Sequence, residues 1–183
     1  EWERALKLLG DMERKGVAPN VFSYSAAISA CEKGNQWEKA LELLDEMQDK
    51  GVKPNCYSFS AAISACEKGN QWEKALALLD DMERLGVPPD VVSYSAAISA
   101  CKEGRQWQKA LQLLADMQER GVKPNFYSFS AAISACEKCG EVERAHNLFD
   151  TMIMNGYEPD IVMYSTAISA CKEGGLWEKA LEL

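Results

Sequence analysis

Side chains able to do covalent or acid–base chemistry are scarce in this chain, and those present are not arranged for it. His146 is the single histidine in 183 residues, so no His-based triad, zinc triad or acid/base pair can be assembled; padding a helix face suits it better. Cys136 and Cys139 form one Cys-x-x-Cys, but a second ligand pair is missing, and so is the His-x-Glu of a zinc deaminase. No catalytic residue, metal or cofactor is therefore expected, and the chain is not read as an enzyme. The side chains that recur have a different character. Ser25, Ser60, Ser95, Ser130 and Ser165 lie 35 residues apart, as do Asn20, Asn55, Asp90, Asn125 and Asp160. Hydroxyls, carboxamides and carboxylates at fixed intervals offer hydrogen-bond recognition: a carboxylate only accepts, whereas an amide donates as well. Asn or Asp just before a helix is also an ordinary N-cap, a role that needs no ligand.

The same interval organises the rest of the chain. Gly16, Gly51, Gly86, Gly121 and Gly156 fall in step, as do Pro19, Pro54, Pro89, Pro124 and Pro159, and Cys31, Cys66, Cys101, Cys136 and Cys171. A period of this length marks a stacked helical solenoid, in which each unit buries its apolar face only against its neighbours. The fold class expected is all-α, an α-solenoid forming one domain over residues 1–183. It has complete units at 21–55, 56–90, 91–125 and 126–160 and partial units at 1–20 and 161–183. Neither terminus resembles a polar cap, which predicts a piece of a longer array.

Within Val21 to Asn55, Tyr24, Ala27, Ile28 and Cys31 recur at spacings of three and four and predict a short first helix. Trp37, Ala40, Leu41, Leu44 and Met47 predict a longer second one. Gly34 and Asn35 break the chain between them, and Gly51 followed by Pro54 ends the second. The small residues of Ser25 to Ala30 allow close helix approach, and Trp37, Trp72, Trp107 and Trp177 are expected to fill the space within each helix pair. Val142 and His146 replace Trp and Leu in the fourth unit, which is expected to pack least well. The periodic cysteines read as small buried thiols in a reducing compartment, since packed helices lie ~8–10 Å apart and a disulfide needs Cα atoms within roughly 7 Å. Cys56 and Cys139 fall outside that series. No run of 18 apolar residues is present, so no span and no membrane partner are expected.

The net charge of −8 is unfavourable for meeting a phosphate backbone. Its placement matters more. Each first helix carries one acid and one base, as at Glu32 and Lys33, while the excess acid lies on second helices, as at Glu42, Asp45, Glu46 and Asp49.

The stretch VVSYSAAISACKEGRQWQKALQLLADMQERGVKPN (Val91 to Asn125) resembles a pentatricopeptide repeat, and the likeness extends over the whole chain. It rests on the period, the Tyr or Phe near the start, the central Gly, the Ala-Leu pair, the Met and the final Gly-x-x-Pro-Asp/Asn. The resemblance implies binding to single-stranded RNA, one nucleotide per unit, in an organellar RNA-processing or stabilising factor of mitochondrion or chloroplast. It makes base readers of the pairs Ser25 with Asn55, Ser60 with Asp90, Ser95 with Asn125, and Ser130 with Asp160, implying the bases A-G-A-G. Asn20 and Ser165 belong to incomplete pairs. Phe22, Tyr57, Val92, Tyr127 and Val162 are the expected base-sandwiching positions, and Lys33, Lys68 and Lys138 the expected phosphate contacts. First helices then line the concave face, leaving an acidic convex face open to protein partners; a protein-binding scaffold is the alternative function.

Overall fold

A computed structural model describes residues 1–161, 163–165 and 168. Among these residues the chain is helical, with no strands. The elements are α1 (Trp2–Arg14), α2 (Val21–Lys33), α3 (Trp37–Asp49), α4 (Cys56–Lys68), α5 (Trp72–Arg84), α6 (Val91–Glu103), α7 (Trp107–Glu119), α8 (Phe126–Lys138) and α9 (Val142–Met154). The α-solenoid expectation holds. One length expectation does not: α2 and α3 both have 13 residues. The second helix looked longer because its amphipathic stripe is plainer, whereas the first is apolar nearly all round and its edges are harder to read.

The two helix rows pack differently. Successive first helices α2, α4, α6 and α8 pack directly on one another, while α3, α5 and α7 each pack on the first helix of their own unit and of the next, and second helices meet one another only through long side chains. Ala61, Ala62, Ala65 and their equivalents in α6 and α8, all buried, make the close approach possible. Bulkier Leu44, Met47, Leu79 and Met82 fill the outer row. The shorter spacing along the first-helix row puts it on the inner side of the curve.

The turn inside each hairpin follows from backbone geometry. Asn35, Asn70 and Arg105 adopt φ of 55°, 56° and 55°, with Gly140 at 75° in the fourth unit. The Gln36 N–H then donates to the Cys31 carbonyl (2.9 Å) and the Asn35 N–H to that of Glu32 (3.1 Å), closing the helix end. Gly34 is needed for another reason. A Cβ there would lie 2.3 Å from Trp2 Cδ1, and the same clash arises between Gly69 and Trp37 (2.3 Å) and between Gly104 and Trp72 (2.2 Å). Trp2, Trp37 and Trp72 therefore lie across the junction against the next unit's glycine, not only between the helices of their own pair as expected; Trp177 lies outside the described residues. Lys74 caps the Trp37 ring at 4.7 Å. In the fourth unit Cys139 takes the glycine's place, its thiol donating to the Arg105 carbonyl at 3.3 Å. The buried Nδ1 of His146 has no hydrogen-bond partner, a cost to the fourth unit, but Ser25 Oγ and the Tyr94 hydroxyl are equally unpartnered in the first and third units.

Cys31, Cys66, Cys101 and Cys136 are buried free thiols. Burial pushes Cys66 and Cys101 up to about 11 and Cys136 up to about 12, so they remain protonated and inert near neutral pH.

Candidate nucleic-acid interface

The candidate site is assembled at the N-terminal ends of the first helices. Asn20, Asn55, Asp90 and Asn125 have extended backbones and cap α2, α4, α6 and α8. The Asn55 Oδ1 accepts from the Ser58 N–H at 2.9 Å, and Asn125 repeats this with Ser128 at 2.9 Å. Asp90 Oδ1 accepts from the N–H groups of Val92 (3.0 Å) and Ser93 (2.9 Å). Each cap is reciprocal: the Ser23, Ser58, Ser93 and Ser128 hydroxyls accept from the cap residue's own N–H. Asp160 Oδ1 accepts from the Met163 N–H at 2.8 Å.

Capping and side-chain pairing use the same atom. Ser60 Oγ lies 3.5 Å from Asp90 Oδ1, and Ser95 Oγ lies 3.2 Å from Asn125 Oδ1. Both hydroxyls also lie within donating distance of carbonyls one turn back, Cys56 (2.8 Å) and Val91 (2.7 Å). Two of the four expected pairs are thus in contact. The other two are not hydrogen-bonded: Ser25 Oγ is buried without a partner, and Ser130 makes no bond to Asp160. Ser165, in the incomplete last unit, donates to the Ile161 carbonyl at 2.6 Å.

The apolar positions beside these pairs face solvent. Phe22 is 76% exposed, Tyr57 59%, Val92 53% and Tyr127 73%; Val162 lies outside the described residues. An open groove of about 540 Å³ is flanked by Tyr57 and Val92, with Ser60 and Asp90 in its wall and Lys33 at its edge. The sequence pattern gave no partner for Cys56, which lines this groove. Its Sγ lies 3.9 Å from Ser60 Oγ, and burial followed by the Asp90 carboxylate raises its pKa. Burial alone would raise the Asp90 carboxyl, but hydrogen bonds from Ser93, Cys56 and Val92 outweigh it and hold the group below its ordinary value.

The expected phosphate lysines are not equivalent. Lys33 is exposed and makes no ion pair among the described residues. Lys68 instead reaches Glu32 of the preceding unit at 2.7 Å, and Lys138 reaches Glu103 of the preceding unit at 2.8 Å. Lys102 also meets Glu103, at 2.9 Å. These cross-unit partners escaped the sequence pattern, which paired acids and bases within a helix. Among the described residues no cluster of His, Cys, Asp and Glu could hold a metal ion, and no helix is long and apolar enough to cross a membrane.

Helical hairpins stacked through their first helices, each with a capped N-terminus, define an α-solenoid repeat protein. Profiles for this architecture match along the chain: a pentatricopeptide repeat domain at residues 77–139, the PPR repeat family at 21–68, and the PPR repeat at 1–17, 57–87, 127–157 and 162–183. The chain belongs to the pentatricopeptide repeat family. Among solved structures it is similar to the pentatricopeptide repeat protein PPR10 in complex with an 18-nt psaJ RNA element, at 26% identity and a TM-score of 0.62, over 99% of this chain and 30% of that one. The same protein, from maize, also matches without that RNA in its description, at 25% identity and a TM-score of 0.51, over 99% of this chain and 31% of that one. The fold is likewise shared with the PPR domain of Arabidopsis thaliana protein-only RNase P 1 in complex with tRNA, at 16% identity and a TM-score of 0.76, over 85% of this chain and 82% of that one. No curated protein matches the chain.

Proposed function

We propose that this chain binds single-stranded RNA selectively, one nucleotide per unit, without catalytic activity of its own. The observation that carries the reading is the meeting of Ser60 with Asp90 and of Ser95 with Asn125 between exposed side chains at the entrance to each unit. The cap explains how one geometry could distinguish bases. It engages Oδ1, so the atom left for a ligand is an oxygen acceptor in Asp and an NH₂ donor in Asn. An acceptor suits the N1–H and N2–H₂ edge of guanine, and a donor suits N1 of adenine. This supports G at the Asp90 and Asp160 units and A at the Asn55 and Asn125 units. Stacking on the exposed aromatics would add ~1–3 kcal/mol per base without choosing among bases.

PPR10 and the RNase P 1 domain are described with bound RNA, which supports the same ligand class here. A role in mitochondrial or chloroplast RNA processing or stabilisation is part of the proposal and rests on family likeness. Titration against RNA containing AGAG and against an all-pyrimidine strand tests it. Tighter binding to AGAG is expected; equal, negligible binding to both would contradict it and favour a protein-binding scaffold.

A further inference from the structure

The cations along the inner face are mostly occupied by the chain itself. Lys68 bridges to Glu32, and Lys138 and Lys102 converge on Glu103. In both inter-unit bridges the base is the last residue of one first helix, and it meets an acid at the end of the preceding one, at the next-to-last position for Glu32 and the last for Glu103. Lys138 and then Lys102 hold the Glu103 carboxyl below its usual range. A carboxylate offers an ammonium group two oxygens and a negative charge, much as the non-bridging oxygens of a phosphodiester do. Glu32 also lines the groove that contains Ser60 and Asp90, so this acid lies beside the surface an RNA strand would follow, and Glu103 ends the first helix two units further on.

We propose that Glu32 and Glu103 are internal competitors for the RNA backbone, occupying Lys68, Lys102 and Lys138 until phosphate displaces them. This rests on the RNA-binding reading above and deepens it. Sequence-independent attraction is the main source of affinity for most nucleic-acid-binding surfaces. Here each contact at those lysines exchanges one anion for another, so it gains little, and Lys33 remains as the unpaired cation beside the groove. Base contacts then carry a larger share of the affinity, which fits a chain of net charge −8.

The test compares the unsubstituted chain with Glu32→Gln, Glu103→Gln and Glu42→Gln across a salt series, using AGAG-containing RNA and an all-uridine strand. Glu42 is exposed on α3 of the outer row and makes no ion pair among the described residues, so its replacement changes net charge equally without releasing a lysine. Each released lysine should steepen the log–log salt slope by about 0.7, giving about 0.7 for Glu32→Gln and up to about 1.4 for Glu103→Gln. Affinity at low salt should rise roughly two- to five-fold for both RNAs, with the preference between them unchanged. Glu42→Gln should leave the slope alone. The inference is overturned if the chain binds RNA but the two inner-face variants match it in slope and affinity, or if Glu42→Gln reproduces their change. If none of the four proteins binds either RNA, the function and this inference fail together.

Discussion

At the scale of single residues, the clearest contrast is between Tyr24 and Tyr94, which hold equivalent places in alternate units. The Tyr24 hydroxyl donates to Glu46 at 3.0 Å, while the buried Tyr94 hydroxyl has no partner. The residue equivalent to Glu46 is Asp116, one methylene shorter. Asp116→Glu is therefore predicted to satisfy Tyr94 and stabilise the chain by about 0.5–1.5 kcal/mol, read as a higher thermal midpoint; no gain would mean the hydroxyl is satisfied in another way. Titration gives a second prediction. Glu46, lowered chiefly by the Lys50 hydrogen bond, Glu103, lowered by Lys138, and Asp90 all have carboxyls below their ordinary values. A depressed folded-state pKa contributes stability that is complete above the unfolded value of about 4 and is lost as pH falls through the folded one. The thermal midpoint should drop on acidification below about pH 4, and Asp90→Asn, which keeps a capping oxygen, should remove part of that drop. A midpoint that stays flat on acidification would contradict this.

At the scale of elements, the hairpin was legible because its punctuation is local: Gly51 after one helix, Asn55 before the next, and an apolar spacing of three and four between. What lay beyond sequence reading were distances between units. Gly34 and Asn35 read together as the break between helices, and Asn35 (φ 55°) takes the left-handed conformation, but Gly34 is glycine because Trp2 lies where a Cβ would be. The same concealment hid the Lys68 to Glu32 bridge, whose partners are 36 residues apart. Gly69→Ala should force the Trp37 ring to move and destabilise the stack by about 1–3 kcal/mol, measured by chemical denaturation. An unchanged midpoint would show that the junction yields easily, as at Cys139, where evolution has already placed a side chain.

At the scale of the whole molecule, two superposed periods matter. The 35-residue period builds the solenoid, and a doubled period alternates Tyr24, Phe59, Tyr94 and Phe129 together with Asn55, Asp90, Asn125 and Asp160. The outer edge follows the doubled period too: Lys50 pairs with Glu13, and Arg120 with Glu83 at 2.7 Å, two units further on. Much of the candidate site was legible because capping and recognition call for the same residue types at the same helix end. That is also why sequence alone left the two roles open. The structure shows Oδ1 in the cap and the second atom outside it, so the recognition proposed above would use the same side chain. The central claim is that this second atom selects the base. Asp90→Asn preserves the cap and exchanges an acceptor for a donor, so the decisive measurement is the affinity of both proteins for strands carrying AGAG and AAAG. The account predicts that preference at the second base moves from guanine toward adenine by ~1–3 kcal/mol, with the other positions unaffected. An unchanged preference would confine Asp90 to helix capping and contradict the account.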